Sequence, residues 1–150
     1  MRETLNQALK EAMRAKDERA VSTLRLILAA LKDRDIAARA KNPEAGVSDD
    51  EILQMLQSMV KARRESISMY EKGGRLELAE REAAEIEIIQ RFLPQQMSEE
   101  EISAAVNEVI QELGADGLKQ MGAVMGELRN RFAGRMDFGK ASPIVREALS

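Results

Sequence analysis

Residues 121–126 read MGAVMG, two Met-Gly steps four residues apart inside a stretch otherwise patterned as a helix. A glycine in a helix interior costs roughly 1 kcal/mol relative to alanine, so another requirement must hold it there. At about 100° per residue, Leu118, Met121, Val124, Met125, Leu128 and Phe132 share one face. Gly122, Gly126 and Ala133 form a smooth strip beside it, flanked by Lys119 and Arg129. A strip without side chains, edged by cations, lets another backbone approach closely. Two partners fit that description. One is a helix of the same tail, packed tightly over the glycines; the other is a phosphate chain, neutralised by Lys119, Arg129, Arg131 and Arg135. Just beyond, Gly134 is placed to end the helix in a left-handed conformation, gathering Arg131, Arg135 and Lys140 at one junction. For Arg129 and Arg131 there is a plainer reading, in which they complement the negative end of the helix dipole. Of the aromatics nearby, only Phe132 and Phe138 interleave the cations, and Phe132 is on the core face. RNA contact here would therefore go through shape and backbone rather than base stacking.

Other chemistry is scarce. The chain has no cysteine and no histidine, which removes thiolate nucleophiles, imidazole bases and nearly every zinc or haem site. There is no glycine-rich phosphate loop, no Ser-Lys amidase arrangement and no metal-ligand spacing. The hydroxyls of Ser48 and Ser98 belong to helix caps, and the carboxylates stand beside lysines and arginines at i,i+4 in the manner of surface pairs. No catalytic residue, cofactor or metal site is assigned.

The elements that carry these residues are helices. Hydrophobic residues make up 44%, charged residues 33% and aromatics 3% of the 150 residues, with only three prolines. Alanine, leucine, glutamate, lysine, arginine and methionine dominate, and no β-type alternation is sustained, so the chain is all-α. A first helix is expected over about residues 2–15 and a longer one over about 18–40, whose centre is apolar most of the way round and marks it as the central helix. Asn42 to Gly46 is a loop. Ser48 with Glu51 and Ser98 with Glu101 are capping boxes opening the third and fifth helices. The third helix stops at Gly73-Gly74 and forms an antiparallel hairpin with a fourth over about 76–92. The fifth closes near Gly114, the sixth spans about 118–133, and the last ends at Leu149. Its start is open between Pro143 at the first helical position, with Ser142 as cap, and a cap at Asp137. Pro94 to Met97 divides a four-helix part, residues 1–93, from a three-helix tail, residues 97–150.

Charge follows that division. The net charge is −3, residues 1–96 balance, residues 97–116 carry six acids and no base, and residues 117–150 carry six bases and three acids. A mildly basic end permits nucleic-acid contact without demanding it. Arg25, Lys32 and Arg39 form a second basic line, spaced by seven, but Asp33 and Asp35 dilute it and a solvated face is the plainer reading. Arg63 falls inside an apolar arc with Ile52, Leu56, Met59, Val60, Ile67 and Tyr70, so it needs a partner. Glu82, inside the fourth helix's arc, is the expected one, with Glu85 second choice. No apolar run reaches the roughly 20 residues that cross a bilayer, and the first residues lack a signal-peptide pattern. A cytoplasmic chain without a membrane partner is expected.

In this layout the tail MGAVMGELRNRFAGRMDFGKASPIVREAL resembles the C-terminal module of the GatB/YqeY family. The segments STLRLILAALKDRDIAAR and EILQMLQSMVKARRESISMYEKGGRLELAEREAAEIEIIQRFLPQQMSEEE extend the resemblance over nearly the whole chain. Pro143 departs from the family, where a more helix-friendly residue is usual. The resemblance implies kinship with the end of the B subunit of glutamine-dependent tRNA amidotransferase, where this module helps hold the tRNA body. It implies a carbon-nitrogen ligase link with glutamine as amide donor, but not the catalytic residues, which lie outside the module. The partners it implies are tRNA or another structured RNA, and an amidotransferase or tRNA synthetase. The leading expectation is a tRNA-associated accessory protein. The alternative is a helical protein-interaction module with no nucleic acid, using the Met-Gly strip and Met55, Met59 and Met69 as an adaptable surface.

Overall fold

The computed structural model describes residues 1–150 as seven α-helices with one 3-10 turn and no strand. It divides into two compact units, Met1–Leu93 and Pro94–Ser150.

The first unit holds α1 (Arg2–Arg14), α2 (Glu18–Lys41), α3 (Asp49–Lys72) and α4 (Leu76–Gln90). Side-chain caps start α2 and α3, whereas α1 and α4 begin without one. Asp17 accepts the backbone N–H of Ala20 at 3.1 Å to cap α2, and both halves of the Ser48–Glu51 capping box are present at the start of α3. Gly74, at φ +73°, makes the turn from α3 to α4. α2 touches all three of its neighbours, as a central helix should. Leu24, Ile27 and Leu31 sink into the core with Leu5, Ile52, Leu56 and Ile89. Its outer side is nevertheless open: Leu26 is 48% and Ile36 56% exposed. The apolar run at its centre is thus wider than the face its neighbours cover.

Besides a contact of the Met1 amino group with Asp49 at 3.6 Å, two less exposed ion-pair sites tie this unit together. Arg63 Nε lies 2.8 Å from a Glu85 oxygen and 3.9 Å from Glu82, so the closer partner is Glu85, contrary to the expected order. The hairpin explains the reversal. Arg63 stands ten residues before Gly73, Glu85 eleven after Gly74, and Glu82 only eight, so Glu85 is nearer the mirror position. The second pair was not foreseen. Asp35 is buried on α2 and accepts from both terminal nitrogens of Arg2, at 2.5 and 2.7 Å, and from the N–H of Val47 at 2.9 Å. Arg2 also donates to the Val47 carbonyl at 2.7 Å. The α1 start, the α2 end and the α2–α3 loop are joined at this one carboxylate.

The second unit holds α5 (Glu99–Leu113), the 3-10 turn Leu118–Gln120, α6 (Met121–Phe132) and α7 (Phe138–Leu149). Each helix packs on the other two, and Ile102, Val106, Val109, Val124, Leu128, Met136, Val145 and Leu149 close a separate core. α5 opens with the Ser98–Glu101 capping box and ends at Gly114, φ +62°. The sixth helix begins later than its sequence pattern predicts. Gln120 turns its side-chain oxygen back to the N–H groups of Asp116 and Gly117, at 2.6 and 3.3 Å, which holds residues 118–120 as a 3-10 turn. α7 starts at Phe138, not at Pro143: Asp137 accepts the N–H of Gly139 at 2.9 Å as its cap. Pro143 sits inside the helix on an exposed side, and Gly139, whose carbonyl loses its helical donor, is exposed as well.

Candidate nucleic-acid interface

The tail's architecture decides which way the glycine strip faces. Val124, Met125 and Leu128 bury one side of α6 against α5 and α7. Gly122 and Gly126 lie on the other side, with Ala123 and Asn130 exposed around them. A methyl group built on either glycine meets no atom within 4 Å. Neither glycine stands at positive φ, so no backbone conformation demands them, and the reading in which a helix of the tail packs over them is excluded. The methionines of the motif turn inward. Met125 is 6% exposed and Met121 packs against the tail core. Of the three methionines considered as an adaptable surface in the first unit, Met55 is buried and Met59 packs on the core, which leaves only Met69 exposed.

The cations fall into two groups. Lys119 and Arg135 are exposed and enter no ion pair within 4 Å, though Arg135 contributes to the field at Glu101. Arg129 is exposed too, with its guanidinium carbon 5.8 Å from the centroid of the Phe138 ring. Such stacking holds a guanidinium in place while its N–H edge stays available. Lys119, Gly122, Gly126 and Arg129 follow one another at spacings of three and four, one line along α6 and the turn before it.

The remaining residues are engaged internally. Arg131 donates to Glu127 at 2.8 Å and to Glu112 on α5. Hydrogen bonds to these two carboxylates, Glu112 first, push its pKa up, so its charge is neutralised within the tail. Gly134, at φ +81°, is buried, and its carbonyl accepts from Gln96 Nε2 at 2.6 Å. It shapes the α6–α7 turn and has no face to offer a ligand. Lys140 lies 3.7 Å from Glu99, with both side chains well exposed, a pair that competing anions and salt loosen readily. Of the eight residues read from sequence as contacts, the structure lines up Lys119, Gly122, Gly126 and Arg129 and leaves Arg135 open at the following turn. Arg131 is paired with Glu112 and Glu127, Lys140 with Glu99, and Gly134 is buried. Sequence reasoning did not pair Arg131; Glu127 at i−4 was the local signal, whereas Glu112 is 19 residues away.

No group of three or more acidic side chains converges on a point that could hold a metal ion. The two buried polar side chains, Thr23 and Asp35, lie in the first unit. Glu101 has its pKa lowered by the backbone N–H and then the hydroxyl of Ser98, a capping role.

Two helical units, the second presenting a bare, cation-edged helix face, define the class of this chain. The model of the Yqey-like protein family matches residues 2–149, and the chain belongs to that family. Among its relatives is "Altered inheritance of mitochondria protein 41, mitochondrial" of Lachancea thermotolerans, 36% identical over 111 residues, which are 73% of this chain and 57% of that protein. The protein of the same name in Eremothecium gossypii is 34% identical over 73% of this chain and 58% of its own length. That of Pyrenophora tritici-repentis is 28% identical over 97% of this chain and 78% of its own. The matched region thus spans less than two thirds of the first two relatives. The expectation of a cytoplasmic chain is overturned by these relatives, which are all named as mitochondrial proteins. No helix is long and apolar enough to cross a membrane.

Proposed function

We propose that the tail unit docks on structured RNA, with tRNA as the class that the family resemblance implies, and that any part in glutamine-dependent amide transfer is accessory rather than catalytic. The observation that carries this reading is the open space over Gly122 and Gly126. The glycines destabilise α6 and release no packing strain inside the molecule, so their use lies outside it. A phosphate backbone can approach the helix to a distance that side chains would forbid, and Lys119, Arg129 and Arg135 stand along its path. Because the motif's methionines are turned into the core, the strip offers a protein partner little apolar surface, which weighs against the reading as a protein-interaction module without nucleic acid.

Titration of labelled tRNA against the full-length protein at two or more salt concentrations tests the proposal. Affinity should fall as salt rises, because each neutralised phosphate releases counterions. Lys119→Ala and Arg135→Ala should each weaken binding and reduce the slope of log affinity against log salt by about one. Binding that ignores salt, or no binding at all, ends the proposal.

A further inference from the structure

α2 carries the second basic line, and the structure buries one of the two carboxylates that dilute it. That carboxylate, Asp35, is 7% exposed and fully occupied by Arg2 and Val47. The line itself shows three cations to solvent, Arg25, Lys32 and Arg39, with Glu18 at its head and Asp33 beside it, while the exposed Arg19, Arg34 and Lys41 lie round on other sides of the helix. In a chain of net charge −3 that is a local excess of cations. Arg25 and Lys32 enter no ion pair within 4 Å, and Arg39 donates to the Ala45 carbonyl at 3.2 Å and stands in the field of Asp35. Between the cations lie Ser22 and Ala29, both small and exposed. Successive cations spaced by seven are roughly 10 Å apart, so Arg25 to Arg39 covers about 21 Å.

We propose that the outward face of α2 is a polyanion-binding track of its own, taking the phosphate backbone of structured RNA. A duplex presents one charge per about 1.7 Å of axis, so a line of this length faces on the order of ten phosphates. The identity of the polyanion rests on the RNA reading of the tail; the existence of the track does not. An anionic membrane surface is the less fitting partner. Leu26 and Ile36 are the large exposed apolar residues of this face, ten residues and roughly 15 Å apart. Asp33 is exposed on the same side, so no continuous apolar band exists to enter the lipid.

The test uses full-length protein carrying Arg25→Gln and Lys32→Gln together. Neither side chain holds the fold, and an unchanged thermal melt confirms that. Labelled tRNA is titrated at roughly 50 and 200 mM salt, alongside the Lys119→Ala/Arg135→Ala variant and vesicles of phosphatidylserine in phosphatidylcholine. The α2 variant should bind tRNA roughly tenfold more weakly at the lower salt, with a slope reduced by about two. Unchanged affinity and slope in the α2 variant, with loss in the tail variant, overturns the track and leaves the tail reading standing. Loss in the α2 variant alone supports the track and removes the tail from the interface. Wild-type protein that binds vesicles but not tRNA, or neither, overturns the track as an RNA site.

Discussion

Asp35 shows how one carboxylate sets a local structure and how its charge can be read out. Hydrogen bonds from Arg2, then from the Val47 N–H, hold its pKa at about 2 against an ordinary 3.8. The unfolded chain therefore takes up this proton at a higher pH than the folded one, and stability from this group falls as pH falls. It is complete above about pH 4, declines between about pH 4 and 2, and is gone below that window. Asp35→Asn removes the charge at all pH values. In thermal melts followed by circular dichroism, the variant should melt well below wild type at neutral pH, and the gap should narrow as pH drops from 4 to 2. A gap of constant size would show that shape rather than charge holds the site. Nothing local in the sequence announces this role, because Arg2 is 33 residues away and the burial of Asp35 depends on where the α2–α3 loop passes.

On α6, stability and the proposed recognition role pull in opposite directions. Gly122 and Gly126 have ordinary helical backbone and empty space above them, so alanine at each should stabilise the tail by about 1 kcal/mol through helix propensity alone. If a phosphate chain lies against the strip, the added methyls lift it away, and tRNA affinity should drop while the melting temperature rises. A rise in stability with unaltered tRNA affinity would show that the glycines are not a contact surface. That opposed pair of outcomes separates a recognition surface from a structural accident, since damage to the fold would lower both. Helix boundaries show how far such element-level features can be read from sequence. The caps at Ser48 and Ser98 are legible because all their partners lie within three residues. Arg63 is legible because Gly73-Gly74 fixes the hairpin, although a mirror count is needed to prefer Glu85 over Glu82. The start of α7 is not, because the local rule for Pro143 loses to the Asp137 cap and to the burial of Ala141, Val145 and Leu149, three positions of one helical face.

Across the whole molecule, stability is distributed between two units that each own a core, and the two proposed recognition surfaces lie one on each. Net charge would repel a polyanion, so the proposed RNA docking would depend on local fields, at residues 117–150 and on the outer side of α2. The cores are unequal. Met1–Leu93 closes over a cluster of fourteen buried hydrophobic residues, thirteen from its four helices and Val47 from the α2–α3 loop, and Pro94–Ser150 over eleven, ten from its three helices and Met136 from the α6–α7 turn, with no disulfide to help either. Domains of fewer than 60 residues without such staples bury a smaller share of their surface and are marginal. The backbone of the tail is nonetheless closed on itself: the Met97 N–H donates to the Arg135 carbonyl at 2.9 Å, and Gln96 holds Gly134. Expressed separately, residues 1–93 should give a helical spectrum and a sharp thermal transition. Residues 94–150 should be helical as well, with a lower midpoint and a broader transition, because a smaller enthalpy accompanies the melting of a smaller core. A tail fragment that is random coil while the full chain is helical would mean that its core is completed from outside, and each recognition surface would then have to be tested only in the intact protein.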